Sequence, residues 1–317
     1  MNCLTKIWLV VITGFTFGQR TIDWNQKGYE AYKRGDYEEA LHAYTRSIEI
    51  DPKRDTVYFN RALVYVKIKL YDKAIKDFFK AIELNPVFFS AYNARGNAFY
   101  SKGHYDEAIK DYTKAIELKP ENPQPYNDRG AAYFAKGNND KAIEDYSKAI
   151  KLNPKYGKAY CNRGIVYVKE KQFNQAIEDF TKAIRFEPGD AKPYFQRAVA
   201  YENKGQYDSA ETDYKKAAKL DKNYSIKRNR KIDALRYYNR GINHFKKGEY
   251  DLAVESYNRA IAADARYSRA YFSRGVAYEK KDMIESAIRD YSQAIELEPL
   301  NDSAYFNRGI VYFNKGR

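Results

Sequence analysis

Cysteine, histidine, methionine and tryptophan are almost missing from this 317-residue chain, which holds two Cys, three His, two Met and two Trp. Once a leader carrying Cys3 is removed, Cys161 stands alone, so a disulfide-stapled scaffold is excluded. The histidines, His42, His104 and His244, lie far apart, and none has a second His or a Cys at metal-ligand spacing. A Gly-rich phosphate loop and the G-x-S-x-G turn of hydrolases are also absent. Period-two alternation of apolar residues is missing, which argues against sheets. Beyond residue 18 no apolar run is long enough to cross a bilayer, which takes about 20 residues. A non-enzyme is expected, with no cofactor and no metal.

What is present is a rhythm. Gly28, Ala62, Gly96, Gly130, Gly164, Ala198, Gly241, Gly275 and Gly309 recur at steps of 34 residues, apart from one step of 43 between Ala198 and Gly241. A fixed period of that length means stacked supersecondary units that expose an extended surface. Apolar residues fall at helical spacing on both sides of a Gly-containing break such as Lys102-Gly103-His104, so each unit reads as two antiparallel helices, A and B. Gly inside a helix costs about 1 kcal/mol relative to Ala, so this position needs absence of bulk. Helix B repeats a small residue of its own, from Ala40 and Ala74 through Ala253 and Ala287, and the two small stripes are expected to let the backbones approach closely. Rings at Tyr44, Phe78, Tyr112, Tyr146, Phe180, Tyr214, Tyr257 and Tyr291 should fill the flanks, which explains 32 Tyr in a hydrophilic chain.

The aromatic-x3-Gly-x2-Tyr of helix A, the Ala-x3-aromatic-x2-Ala of helix B and the closing prolines, such as Pro120 and Pro154, resemble the tetratricopeptide repeat. The resemblance covers Thr21 to Asn301 as eight full copies, plus helix A of a ninth. It implies an all-α, right-handed superhelical solenoid of antiparallel helix pairs whose concave face, lined by A helices, holds a peptide or protein segment. Where the family commonly has Leu before the Gly, this chain has Arg61, Arg95, Arg129, Arg163, Arg197, Arg240, Arg274 and Arg308. Helix B offers Asp77, Asp111, Asp145, Asp179, Asp213 and Asp290, so a repeating ion pair across the helices is expected. A phosphate-binding stripe is the weaker reading of the same arginines.

The organisation reads as a signal peptide (1–18), six repeat units (21–224), a basic insertion (225–233), two further units (234–301) and helix A of an incomplete ninth (302–317). Lys6, the apolar stretch Ile7 to Phe17 and the small residues Thr16 and Gly18 form the export signal, implying a bacterial-type periplasmic or secreted protein. From Tyr214 to Arg240, ten Lys and Arg face two Asp, a net +8 out of the chain's +14. That segment, with Lys227, Arg228, Arg230 and Lys231 at its centre, is a candidate surface for nucleic acid or anionic lipid. Export argues against nucleic acid. Tyr305, Phe306, Tyr312 and Phe313 on the last A helix would stay uncovered, a candidate surface for self-association, unless the chain is the sensor or recruitment part of a longer exported signalling or enzyme chain.

Candidate binding residues are those of helix A expected to face the groove. Asn93, Asn97 and Asn127 offer amides that can hydrogen-bond an extended peptide backbone, with Lys158 on the rim. Tyr100 and Phe134 lie one turn further on, and Phe59, Phe195 and Phe272 offer apolar anchors. Asn93, Asn97, Lys158 and Asn162 echo the family's clamp for a C-terminal carboxylate. Asp128, however, stands where that clamp needs an amide, so a carboxylate ligand is disfavoured. The reading is an exported scaffold that binds a protein or peptide through its groove without catalysis.

Overall fold

The computed structural model describes residues 23–224 and 230–316, apart from the side chains of 207, 208 and 230–232. The proposed signal peptide lies outside the described residues. The chain forms two compact units, one ending at Val166 and the other beginning at Tyr167. In the first are α1 (Trp24–Arg34), α2 (Tyr37–Ile50), α3 (Asp55–Lys67), α4 (Tyr71–Leu84), α5 (Phe89–Ser101), α6 (Tyr105–Leu118), α7 (Pro123–Ala135), α8 (Asn139–Leu152) and most of α9 (Gly157–Lys169). The second continues with α10 (Phe173–Phe186), α11 (Ala191–Asn203), α12 (Tyr207–Leu220), α13 (Arg230–Lys246), α14 (Tyr250–Ala263), α15 (Ser268–Lys280), α16 (Ile284–Leu297) and α17 (Asp302–Lys315). No strand occurs among the described residues, and none of their helices is long and apolar enough to cross a membrane. Odd-numbered helices are the A helices and even-numbered ones the B helices.

Each A helix joins its B helix through a turn too short for anything but antiparallel packing. Seven residues after the small mark, the chain enters the left-handed region, as at Gly103 (φ 80°) and Gly137 (φ 82°). Lys69, Lys171 and Asp282 adopt the same conformation without the freedom of glycine. Alanines line the contact within each pair: Ala40, Ala74, Ala108 and Ala142 are all fully buried in the first unit.

The glycines have a narrower role than expected. They do not simply admit the partner backbone; the ring of the B helix lies directly on them. A Cβ added to Gly96 would stand 2.7 Å from the Tyr112 ring, and one on Gly241 would stand 2.4 Å from the Tyr257 ring. Gly28, Gly130 and Gly275 meet Tyr44, Tyr146 and Tyr291 in the same way. The buried aromatic therefore crosses the A helix at the one point without a side chain.

The arginines before the glycines form the expected ion pairs and also a second contact. Arg61 donates to both oxygens of Asp77, at 2.7 and 2.8 Å, on its own B helix. Its remaining amine reaches back to Thr45 on the preceding B helix at 3.1 Å. Arg129 joins Asp145 and Thr113 likewise, and in the second unit Arg197 joins Asp213 and Thr181. At Arg95 the backward partner is an aromatic ring, with the guanidinium 3.9 Å from the centre of Phe79. One planar cation thus clamps two consecutive B helices to an A helix, a geometry that lysine cannot reproduce. The guanidinium groups of Arg61, Arg95, Arg129 and Arg197 are committed inside the array, so a continuous phosphate stripe does not form at these positions.

The insertion is helical in part. Residues 230–233 belong to α13, which runs to 17 residues where most A helices have 13. A short 3₁₀ turn, Lys222–Tyr224, follows α12. On α17, Tyr305, Phe306, Tyr312 and Phe313 are exposed.

Candidate binding face

Adjacent A helices are tied side by side through polar groups 35 residues apart. Asn60 donates its amide to Asn25 Oδ1 at 3.3 Å, linking α3 to α1. Asn93 on α5 donates to Asp128 Oδ2 on α7 at 3.3 Å, and Asn162 on α9 donates to Asn127 Oδ1 at 3.0 Å. In the second unit Ser273 reaches the Tyr238 hydroxyl at 3.4 Å. These bonds tie α5, α7 and α9 into one layer, and join α1 to α3 and α13 to α15.

That role corrects the placement of several candidate residues. Asn93 and Asn127 are only 5% and 3% exposed, lying between A helices instead of facing a groove. Phe59, 2% exposed, packs in the core against Phe78 and Phe88 with ring centres 5.7 and 4.9 Å away. Phe195 is half-buried against Tyr214 and Tyr224, and Phe272 against Tyr291. The reason is helical register. All five stand three residues before the small mark, so they share the stripe that the B-helix ring covers. The signal was available in the spacing. Of the basic-segment candidates, Lys227 and Arg228 lie outside the described residues, as do the side chains of Arg230 and Lys231.

The remaining candidates gather in the first unit around a residue first read only as an obstacle. Asp128 accepts from Asn127 at 3.1 Å through Oδ1 and from Asn93 through Oδ2. Burial raises its carboxyl to about 6, against the opposing pull of the Asn127, Asn93 and Gln124 amides and of Lys158. Asn97 is half-buried, and its Oδ1 accepts from the Tyr112 hydroxyl at 2.7 Å. Tyr100 is 37% exposed; burial, with repulsion from Asp128 and Tyr100, pushes the Tyr112 and Tyr146 hydroxyls upward. Phe134 and Lys158 are half-buried. Asn97, Tyr100, Phe134, Asp128 and Lys158 therefore form a partly open, mixed aromatic and polar face on three successive A helices.

Comparison with known families then decides the class. The family described as TPR repeat matches residues 28–69, 96–137, 130–171, 241–282 and 283–316, and the one described as tetratricopeptide repeat matches 56–88, 157–190 and 191–224. The chain belongs to the tetratricopeptide repeat family. Among solved structures, MamA is 28% identical over 51% of this chain and 94% of its own, with a TM-score of 0.48. YrrB, described as a TPR protein with an unusual peptide-binding site, is 24% identical over 59% of this chain and 96% of its own, at 0.46. PilF of Pseudomonas aeruginosa is 19% identical over 63% of this chain and 90% of its own, at 0.56, a likeness of fold. No curated protein matches the sequence.

Within this tetratricopeptide array the face belongs to the A helices α5, α7 and α9. Its centre is a carboxylate, not the cationic clamp that a terminal carboxylate would need. Two of the amides expected to grip a peptide, Asn93 and Asn127, hold this carboxylate in place instead.

Proposed function

We propose that this tetratricopeptide protein is a scaffold that binds a peptide segment of a protein partner on the A-helix face of its first unit, without catalysis. The observation that carries the reading is the partly open cluster of Asn97, Tyr100, Phe134 and Lys158 around Asp128, on helices tied into one layer. Aromatic rings beside fixed polar groups supply both anchoring area and directed hydrogen bonds. In the same reading the protein acts outside the cytoplasm, on the strength of Lys6, the apolar stretch Ile7 to Phe17 and the small residues that follow it. The exposed rings of α17 would serve self-association.

A displayed peptide library selected on the purified chain tests the binding face. Selected peptides should lose at least about 1 kcal/mol with Tyr100→Ala or Lys158→Ala, while Lys148→Ala on an exposed B-helix face changes nothing. Replacing Asn93 or Asn127 would disturb the tie between helices, so those variants do not report on contact. Selected peptides that bind both face variants as tightly as the parent chain would overturn the assignment.

A further inference from the structure

The repeat provides its own control for charge. At the end of an A helix a lysine reaches back 30 residues to an acid on the preceding B helix: Lys102 to Asp72, Lys136 to Asp106, Lys281 to Asp251 and Lys315 to Glu285. After α11 the lysine is Lys204, and the residue 30 before it is the neutral Asn174, whose Oδ1 lies 2.6 Å from Nζ. The arginine series breaks in the following copy. Sixteen residues after Arg240 stands Ser256, where Arg197 and Arg274 have their partners Asp213 and Asp290. Ser256 turns back to the Leu252 carbonyl, and Arg240 contacts Glu211 at 3.1 Å. Two carboxylates that neutralise cations elsewhere in the array have thus become neutral side chains.

Two further departures occur on α13. Asn243 holds a position that is Ala200 in the preceding copy and Ala277 in the next, both fully buried, and its amide donates to the Gly205 carbonyl at 3.2 Å. His244 replaces the ring that is Tyr201 and Tyr278 in those copies, with Nδ1 2.6 Å from Glu249. Asn243 and His244 line one cavity of about 380 Å³ in the second unit, as do Lys204, the partner of Asn174, and Arg240, whose counter-charge position is Ser256. Lys204, Arg240, Lys247 and His244 line it together with Asn243 and Ser209, and no carboxylate does so among the described residues. Its volume falls at the small end of the roughly 300–1,000 Å³ of small-molecule pockets.

We propose that this cavity is a binding site for a phosphate-class oxyanion, either free phosphate or a phosphomonoester. The anion supplies the negative charge that Asn174 does not, and it shares Arg240 with Glu211. Lys204 and Arg240 hold it by charge-assisted hydrogen bonds, which are stronger than neutral ones, and Asn243 and Ser209 add neutral donors. The site lies in the other unit from the proposed peptide face and stands independently of it.

Calorimetric titration at low ionic strength, with the whole chain, tests the site. The probes are inorganic phosphate and a phosphoserine peptide with its unphosphorylated form. Lys204→Gln is expected to weaken phosphate binding about tenfold or more, as loss of a charge-assisted bond would. The decisive variant is Asn174→Asp, which restores the repeat's own counter-charge to Lys204 without removing any lining group. Both positions are exposed, so the helical melt should not move, and Asn174→Asp should weaken binding comparably. Lys148→Gln, an equal change of net charge on the first unit, should leave binding intact. Binding of the phosphopeptide alone supports the site and makes the ester its ligand. The proposal is overturned if neither phosphate source binds, if the unphosphorylated peptide binds equally well, or if Lys148→Gln costs as much as Lys204→Gln.

Discussion

Replacing Gly96 by Ala sets two effects of opposite sign against each other. Alanine favours a helix interior by about 1 kcal/mol over glycine. Against this, the new Cβ would lie 2.7 Å from Tyr112 Cε1 and 2.9 Å from Cδ1, where ordinary contact begins near 3.4 Å. The ring must retreat by roughly the difference, yet it is 1% exposed and its hydroxyl is fixed on Asn97 at 2.7 Å. Overpacking of this kind costs about 1–3 kcal/mol, so Gly96→Ala should be destabilising by up to about 2 kcal/mol. Gly309 holds the equivalent position on α17 with nothing within 4 Å of its added Cβ. Gly309→Ala should therefore stabilise its helix by about 1 kcal/mol, as propensity alone predicts. Because repeats interact mainly with their neighbours, hydrogen exchange of α5–α6 and of α17 is the suitable assay. A Gly96→Ala variant with greater protection in α5–α6 would refute the claim that the ring, not the backbone, dictates glycine.

Asp128 and the ion-pair clamp give two further tests. Burial raises the Asp128 carboxyl from 3.8 to about 6, so the folded state binds its proton more tightly than the unfolded chain does. Its contribution to stability is complete below about pH 4 and is lost as pH rises through 6, a change of at most about 3 kcal/mol. Denaturation midpoints between pH 4 and 7 should show this slope, and Asp128→Asn should flatten it; an unchanged slope would reject the raised carboxyl. In the clamp, Arg95 and Asp111 have side chains only 9% and 7% exposed. Asp111→Ala strands a buried guanidinium and should cost about 3–5 kcal/mol, whereas replacing both partners by Leu should cost much less. Urea unfolding of the single and double variants decides this, and equal losses would show that desolvation is not the dominant cost.

The period, the two-helix unit, the Gly-x-turn and the Arg-to-Asp pairs were legible in the sequence because each depends on local register. A residue 16 positions on always falls on the partner helix, so Arg61 finds Asp77 as Arg274 finds Asp290. The candidate face was only half legible. Tyr100 and Lys158 emerge on the open or partly open surface, but Asn93, Asn127 and Phe59 do not. Their spacing from the small mark already put them on the stripe that the B-helix ring covers, but an isolated helix cannot show which of its faces the neighbouring A helix will cover.

The sequence by itself determined which residues are small, aromatic or charged at each position of the repeat, and hence that the chain must be a stack of helix pairs. Only the tertiary structure decided what those positions touch. It laid the tyrosine rings on the glycines, turned two asparagines from presumed ligands into ties around Asp128, and brought Lys204 and Arg240 to one cavity. The reason is that spacing along a helix fixes direction, while burial and partnership depend on atoms contributed by segments 16, 30 or 35 residues away.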